Sequence, residues 1–216
     1  MHTTRSEMPK SWPMSKKGTK YIGVSRHAKN SSIPILKIVK DIMKIAQTRK
    51  EVKQILKNKD LFVNNKRISD ERFPIQIDDI ISNEKTGKKY RARIKDKKFY
   101  VEEISGKDAD KKIVKVTGKK TILNGKIQLN LRDGQNILSE EPIAVGDSIV
   151  LDLKTKKIDK ILQLKEKCIV EILSGQYAGK KGIFVKIEER KRKNVYLIKL
   201  DKKEIGLSLD LIKVTE

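Results

Sequence analysis

The sequence predicts an α+β protein in which a small unit of two helices and a hairpin precedes two antiparallel β domains. Helical apolar spacing is confined to residues 34–57. After residue 83, short apolar runs alternate with turn pairs such as Asn124-Gly125 and Asp133-Gly134, as is typical of antiparallel strands. Residues 1–33 have no sustained apolar periodicity. The predicted segments are therefore 1–33, 34–82, 83–165 and 166–216.

The charge of the chain indicates its class of partner. The 216 residues include 51 Lys+Arg and 28 Asp+Glu, for a net charge of +23. Such a charge destabilises a compact chain by self-repulsion unless a polyanion neutralises it. Nucleic acid is the favoured partner, and an anionic membrane surface is the alternative. Because aromatic residues make up only 5% of the chain, binding is predicted to be electrostatic rather than based on stacking.

Apolar runs and cysteine usage argue against other classes. The longest apolar runs are too short to span a bilayer, and no secretory signal is expected at the start. The single Cys168, a predicted buried hydrophobe, permits no internal disulfide and no multi-cysteine zinc site, which fits a reducing cytoplasm. His2 and His27 have no second ligand nearby, so no metal site is predicted.

Residues 1–33 are predicted to form an extended basic arm that becomes ordered on a partner. Its candidate phosphate contacts are Lys10, Lys16, Lys17 and Lys20. Trp12, within Pro9-Lys10-Ser11-Trp12-Pro13, is interpreted as a hydrophobic anchor for the arm. Because stacking on a nucleic-acid base is the alternative, Trp12 is also included among the candidate RNA contacts.

Two helices are predicted next. The first begins near Pro34 and places a broad apolar face between Ile35 and Ala46. The second begins at Thr48, which forms a capping box with Glu51, and buries one apolar face. Four cations gather on a separate arc of this helix, at Arg49, Lys50, Lys53 and Lys57.

A hairpin is predicted to follow, with the strand Leu61–Val63, a turn at Asn64-Asn65 and a return strand that carries Lys66 and Arg67. This stretch resembles the RNA-binding domain shared by the bacterial ribosomal protein S-four, some pseudouridine synthases and some tRNA synthetases. The resemblance implies that the helix face and the hairpin contact RNA. Asp78-Asp79 has the composition of an acid/base pair, but a turn or a salt bridge is the favoured interpretation.

The central segment, 83–165, is predicted to be a small antiparallel barrel or sandwich. Its clearest hairpin signal is Asn124-Gly125, between two apolar strands. Alternation at Ile127, Leu129 and Leu131 predicts one buried face, and the triplet Leu131-Arg132-Asp133 is read as a strand end that enters a turn. No catalytic residue is predicted here.

The last segment, 166–216, is predicted to contain strands joined by a tight loop at Gly175, Gly179 and Gly182. A nucleotide phosphate loop is disfavoured because Lys181 occupies the position of the Ser or Thr that would bind magnesium. The segment resembles a KOW motif, which implies a small SH3-like β-barrel associated with RNA. Its candidate phosphate contacts are Lys180, Lys181, Arg190, Lys191, Arg192 and Lys193.

The whole chain is similar to the archaeal and eukaryotic small-subunit ribosomal protein family S-four-e. The residues that carry the similarity are Pro9–Pro13, Lys17–Lys20, Thr48–Val52, Asp79–Ile81, Lys85–Gly87, Gly125–Leu131, Asp133-Gly134 and the glycines of the last segment. The Ser-Trp-Pro form of the arm and the short C-terminus resemble archaeal members. The first eight residues are less basic than the family's usual start.

The resemblance implies a structural constituent of the small ribosomal subunit that binds its rRNA and supports subunit assembly and translation. It implies no enzymatic activity, no cofactor, no small-molecule substrate and no membrane association. The expected partners are small-subunit rRNA and neighbouring ribosomal proteins, with one copy per cytoplasmic ribosome. The alternatives are an RNA-modifying enzyme of the pseudouridine-synthase type, for which no catalytic arginine-leucine-aspartate context is found after residue 81, and a KOW-containing transcription or translation factor.

Overall fold

The computed structural model describes residues 2–122, 126–190, 194–200 and 203–215. Over these ranges the protein is mostly β, with two short α-helices, and the chain divides into two compact units, 1–110 and 111–216. Within the described ranges no helix is both long enough and apolar enough to cross a membrane.

Unit 1 contains nine strands, two α-helices and a five-residue π-helix. In chain order these are β1 (His2–Thr4), β2 (Tyr21–Gly23), β3 (Ile33–Pro34), α1 (Ile35–Lys37), the π-helix Ile38–Ile42, α2 (Arg49–Lys57), β4 (Leu61–Val63), β5 (Lys66–Arg67), β6 (Pro74–Ile75), β7 (Ile80–Asn83), β8 (Lys89–Lys95) and β9 (Lys98–Ile104). The main sheet has the antiparallel order β5-β4-β7-β8-β9, and β1-β2 and β3-β6 form two-stranded pairs.

The predicted start of α2 is confirmed. The Thr48 hydroxyl accepts from the backbone N–H of Glu51 at 3.3 Å and donates to that residue's carboxylate at 2.7 Å. The same carboxylate accepts from the backbone N–H of Gln47 at 2.8 Å, so it satisfies the N–H one residue before the cap. Val52 and Leu56 are buried beneath the helix, and their burial orients the charged arc towards solvent.

The first predicted helix is shorter than its apolar pattern indicates. It ends as a π-helix at Ile42, where the N–H of Met43 bonds the carbonyl of Ile38, and Lys44 has a φ of +54°. Ile35, Ile38, Val39 and Ala46 of the apolar face are buried, but Ile45 is 42% exposed. Tertiary packing of Ile35, Ile38 and Val39 therefore stabilises this segment without continuing the α-helical period.

The N-terminal segment is more structured than the predicted arm. β1 pairs with β2, and Trp12, Ile22 and Val24 are at most 3% exposed. The N–H of Phe99, on edge strand β9, donates to the carbonyl of Ser11 at 2.8 Å. Scattered apolar residues without periodicity thus anchor this basic stretch to unit 1.

The described residues of unit 2 form ten strands and a 3₁₀ turn at Leu209–Leu211. The strands are β10 (Lys111–Thr121), β11 (Ile127–Leu131), β12 (Asn136–Ser139), β13 (Ser148–Asp152), β14 (Ile158–Leu162), β15 (Ile169–Ile172), β16 (Lys181–Glu188), β17 (Val195–Leu200), β18 (Lys203–Leu207) and β19 (Ile212–Val214). They form two antiparallel sheets, in the orders β12-β11-β10-β13-β14 and β18-β17-β16-β15-β19. The pairing of Thr121 with Ile127 confirms the predicted hairpin, although residues 123–125 of its turn lie outside the described ranges.

Strand β10 connects the two cores of unit 2. Its first half pairs with β13 and its second half with β11, with a register shift between Val116 and Gly118. Val114 and Ile149 face one core, whereas Ile113 and Val150 pack against the apolar cluster of the C-terminal sheet. Alternate residues of the same strands therefore join the central and C-terminal sheets.

The compact units differ from the predicted segments at two boundaries. β8 and β9, expected in the central domain, belong to the sheet of unit 1, since Ile80 pairs with Arg91. The central and C-terminal segments share one compact unit, because the packing of Ile113 and Val150 crosses the expected boundary at residue 165. The sequence pattern identified β8 and β9 as strands but contained no local signal that β8 pairs with β7.

Candidate nucleic-acid interface

The candidate interface begins with a helix cluster, defined as Lys50, Lys53 and Lys57 on α2. At 100° per residue these three positions fall within an arc of about 60° and span roughly 10 Å along the helix axis. All three are exposed. Among the described residues, Lys50 and Lys57 have no carboxylate partner, and Lys53 is 4.0 Å from Glu71. The cluster presents positive charge that the described part of unit 1 neutralises only weakly.

Arg49, the fourth predicted cation of α2, has a different environment. Its Nε donates to Glu71 at 2.8 Å, and its Nη2 binds the second oxygen of the same carboxylate. Glu71 is only 9% exposed. The hydrogen bonds from Arg49 lower the pKa of Glu71 although burial opposes this shift, and the pKa of Arg49 is raised by the same contact. Arg49 therefore compensates a buried carboxylate, a structural role that sequence spacing did not reveal.

The hairpin next to the helix confirms the predicted turn. Asn64 and Asn65 have φ values of +50° and +60°, as a tight two-residue hairpin requires. Asn64 donates from Nδ2 to Asp79 at 2.8 Å and accepts at Oδ1 from the N–H of Ile80 at 3.0 Å. Lys66 is exposed, and the guanidinium of Arg67, also exposed, lies 5.4 Å from the centre of the Phe62 ring. The hairpin thus projects two cations from a rigid turn.

The structure favours a structural reading of the two adjacent carboxylates. Asp78 and Asp79 are 6% and 4% exposed, and Asp78 has a φ of +65°. The carboxylate of Asp79 binds the Asn64 amide and also accepts from the backbone N–H of Gln76 at 2.7 Å. The side chain of Asp79 therefore stabilises the loop that supports the hairpin, as the preferred turn interpretation expects.

In the N-terminal segment the predicted cations lie at the surface, whereas Trp12 lies in the core. Lys10, Lys16, Lys17 and Lys20 are exposed. Trp12 is 2% exposed, and its indole N–H donates to the carbonyl of Ser32 at 3.0 Å. The ring serves as a core anchor and is inaccessible for stacking on a base, which corrects its inclusion among the candidate RNA contacts.

Three of the predicted C-terminal cations, Lys180, Lys181 and Arg190, lie at the ends of the β15–β16 and β16–β17 hairpins. Gly175 and Gly179 have φ values of +96° and +85°, and a Cβ on Gly182 would lie 2.6 Å from Ile198, so the glycine interpretation is confirmed. Lys180 and Lys181 are exposed. Arg190 is exposed and pairs with Glu188 at 3.1 Å. Three further candidates, Lys191, Arg192 and Lys193, lie outside the described residues.

The chain is similar to several archaeal ribosomal proteins. It is 33% identical over 207 residues to the small ribosomal subunit protein eS4 of Methanosphaera stadtmanae, a match that covers 93% of this chain and 86% of that protein. The proteins of the same name from Methanospirillum hungatei and Archaeoglobus fulgidus are 34% and 32% identical, and each match covers 84% of this chain and 78% of the relative. The chain belongs to the S4e family of ribosomal proteins.

Two further comparisons agree with this membership. The family described as "Ribosomal family S4e" matches residues 86–158, from the turn before β8 to the start of β14. The crystal structure of the 30S ribosomal protein S4e from Thermoplasma acidophilum has the same fold, with a TM-score of 0.75 at 23% identity. That similarity covers 86% of this chain and 95% of the solved one. The S4e ribosomal family is not an enzyme family.

Some cations of this S4e-family chain were not identified from the sequence as functional or structural groups. Exposed lysines flank the β8–β9 turn at Lys95, Lys97 and Lys98, and the Lys-Asp-Lys-Lys pattern was a usable signal. The sequence contained no comparable signal for Arg5, whose guanidinium binds backbone oxygens ten and fourteen residues away.

Other cations are buried in unit 2, where they have internal partners and stabilise the fold. Lys115 is 3% exposed and donates to the carbonyls of Leu209 and Ile212, the latter at 2.9 Å. Burial lowers the pKa of Lys115 to about 8, and the nearby Arg132 contributes in the same direction. Buried pairs join Lys112 to Asp133 at 2.7 Å and Lys213 to Glu171 at 2.8 Å. Asp133 therefore belongs to a structural turn, as expected.

Within the described part of the chain, no group of three or more His, Cys, Asp or Glu residues can hold a metal.

Proposed function

We propose that the protein is a structural constituent of the small ribosomal subunit that binds small-subunit rRNA and supports subunit assembly and translation. The observation that carries this proposal is the helix cluster on α2, which presents positive charge with little neutralisation from described carboxylates. Membership of the S4e family and the net charge of +23 support the same function.

The proposed mechanism is neutralisation of phosphates by Lys and Arg, with release of condensed counterions and a shape fit to folded RNA. The strongest candidate contacts are exposed, and among the described residues they have no carboxylate nearer than the 4.0 Å between Lys53 and Glu71. They are Lys10, Lys16, Lys17, Lys20, Lys50, Lys53, Lys57, Lys66, Arg67, Lys180 and Lys181. Arg49 and Arg190 have internal partners, so their proposed contribution is smaller. Lys191, Arg192 and Lys193 stay in the proposal on their sequence alone.

We further propose functional names for the predicted segments. Residues 34–82 act as the RNA-binding domain of the ribosomal S-four type, and 166–216 act as a KOW-type unit with an SH3-like barrel. The antiparallel order β18-β17-β16-β15-β19 and the glycine-rich loop before β16 support the second assignment. The proposed location is the cytoplasmic ribosome, in one copy, beside other small-subunit proteins. The proposed role requires no catalysis and no cofactor.

The test removes two charges from the helix cluster and two from a matched control. The variant Lys50→Ala/Lys57→Ala removes cations without close carboxylate partners. The control Lys88→Ala/Lys126→Ala also removes two exposed lysines, but these pair with Glu103 and Glu140. Affinity for small-subunit rRNA is measured from 50 to 200 mM salt.

The helix variant should lower the slope of log affinity against log salt by about 1.8, since each duplex phosphate contact contributes about 0.9. The affinity ratio between 50 and 200 mM salt should then be about 12-fold smaller than for the unsubstituted protein. The control should change the slope by less than about half as much. Equal slopes for the two variants would mean that α2 does not face the RNA.

A further inference from the structure

The loop Ser15–Lys20 in unit 1 is arranged around one guanidinium. Arg5 donates from Nε to the carbonyl of Thr19 at 2.8 Å, from Nη1 to the carbonyl of Ser15 at 2.8 Å and from Nη2 to the Thr19 hydroxyl at 3.0 Å. Its backbone N–H donates to the carbonyl of Lys20 at 2.9 Å. These bonds close the two ends of a cationic loop onto one planar side chain, whose fork geometry makes such contacts directional.

Gly18 at the centre of this loop fits closely against the guanidinium. Its φ is +139°, and a Cβ built there would lie 2.8 Å from Nη2 and 2.9 Å from Cζ of Arg5. Any larger residue would meet the side chain that closes the loop, and it would also occupy an unfavourable backbone region. The closed form therefore depends on both Arg5 and Gly18.

The closed loop gathers positive charge around a cleft of about 440 Å³, which is lined by Arg5, Lys16, Lys17 and Lys20. The three lysines have no ion-pair partner among the described residues. Glu7 is the only acidic residue in the first twenty positions. Its carboxylate accepts from the Thr3 hydroxyl at 3.0 Å, and hydrogen bonds from Thr4 and Thr3 lower its pKa. It does not line the cleft.

Such an arrangement is suited to an anion. Holding four cations together raises the energy of the free protein, and an anion between them relieves that repulsion. Arg5 uses three of its five N–H groups on the loop, so two remain for an oxygen ligand. Phosphate accepts from both guanidinium and ammonium donors.

We infer that this cleft binds one phosphate group of the RNA backbone, with Arg5 closing the loop and Lys16, Lys17 and Lys20 supplying most of the charge. The inference deepens the proposed function and rests on it. It assigns contact and positioning roles to Arg5 and a spatial requirement to Gly18. The arm would then provide a preformed site rather than diffuse attraction alone.

The first experiment uses variants that keep the net charge. Arg5→Lys retains one positive charge but loses the planar fork, and Gly18→Ala places a methyl group against the guanidinium. Gly87→Ala is the matched control, because Gly87 also has a positive φ, +67°, but a Cβ there meets nothing within 4 Å. Affinity of the full chain for small-subunit rRNA is measured from 50 to 200 mM salt.

Arg5→Lys and Gly18→Ala should each lose about one phosphate contact, so the affinity ratio between 50 and 200 mM salt should be about threefold smaller than for the unsubstituted protein. Gly87→Ala should behave as the unsubstituted protein. If all four proteins bind equally with equal slopes, the cleft inference is overturned while the proposed function stands. If none binds rRNA, both fail.

A second experiment detects the site without RNA. Inorganic phosphate is titrated into the full chain, and backbone amide shifts are followed by NMR. Saturable shifts at Gly18 and Thr19 that disappear in Arg5→Lys support the cleft. Shifts that spread evenly over exposed lysines, or that persist unchanged in Arg5→Lys, overturn it.

Discussion

Arg49 and Lys50 are adjacent on α2, but their side chains have different proposed roles. Removing Arg49 should mainly lower the stability of unit 1, whereas removing Lys50 should mainly weaken RNA binding. Arg49→Ala leaves the buried carboxylate of Glu71 without its two guanidinium hydrogen bonds. Lys50→Ala removes an exposed side chain with no carboxylate partner among the described residues. Both changes reduce the charge by one and place the better helix former alanine in the first turn, which makes them a matched pair.

The magnitude follows from burial and from the remaining cation. A hydrogen bond to a charged group contributes about 1.5–3 kcal/mol, and a buried carboxylate that loses its partner adds a desolvation cost. The Arg49 side chain is 57% exposed, and Lys53 stays 4.0 Å from Glu71, so solvent and this second cation reduce the loss. Arg49→Ala should therefore lower the free energy of unfolding of unit 1 by about 2 kcal/mol, and Lys50→Ala by less than about 0.5 kcal/mol.

Urea unfolding followed by Trp12 fluorescence measures this difference. Trp12 is the only tryptophan and is buried in unit 1, so its emission reports that unit. In a Glu71→Gln background the loss caused by Arg49→Ala should fall by at least half, because the buried charge is absent. Equal stability of Arg49→Ala and Lys50→Ala would refute the structural role assigned to Arg49.

The contact between Arg49 and Glu71 also predicts how the stability difference caused by Arg49→Ala changes with pH. The pKa of Glu71 is lowered in the folded state, so its contribution is fully present above the unfolded pKa and disappears as pH falls through the folded value. The stability difference between the unsubstituted protein and Arg49→Ala should therefore shrink as the solution is acidified. A difference that stays constant down to acid unfolding would contradict the assignment.

Three further predictions concern the fold. Because burial lowers the pKa of Lys115 to about 8, unit 2 should gain roughly 2–3 kcal/mol between pH 7 and 10 relative to Lys115→Met, and parallel pH profiles in circular-dichroism melts would contradict this. Asn64→Ala should cost about 2 kcal/mol in Trp12-monitored urea unfolding through its lost bonds to Asp79 and Ile80, whereas unchanged stability would refute the role of the turn. Leu129→Ala in the central core of unit 2 should cost about 2–5 kcal/mol, against less than about 0.5 kcal/mol for the 59% exposed Leu138→Ala, and similar melting temperatures would be inconsistent with that core.

Local chemistry made part of the fold predictable. Thr48 and Glu51 are three residues apart, so the sequence alone predicts the start of the helix. Asn64-Asn65 likewise predict the turn, because asparagine tolerates positive φ values. Pairings between distant segments could not be predicted from the sequence. The bond between Ser11 and Phe99 joins positions almost ninety residues apart, and no local pattern indicates it.

The sequence likewise predicted only part of the candidate interface. The spacing of Lys50, Lys53 and Lys57 predicts a shared helix face, because it depends only on the helical period. The separate role of Arg49 depends on Glu71, which lies 22 residues later and is brought near by the loop before β6. Charge alone therefore identified the cations but did not separate structural partners from candidate phosphate contacts.

The central claim, that the protein is an integral part of the small ribosomal subunit, is tested most directly by sedimentation. Tagged protein in a lysate of its host is run through a sucrose gradient before and after a high-salt wash. We predict cosedimentation with the small subunit that survives the wash, because shape-matched contacts hold where simple charge attraction is screened. Migration away from the small subunit, or complete release by salt, would contradict the account and favour a transient RNA-binding factor.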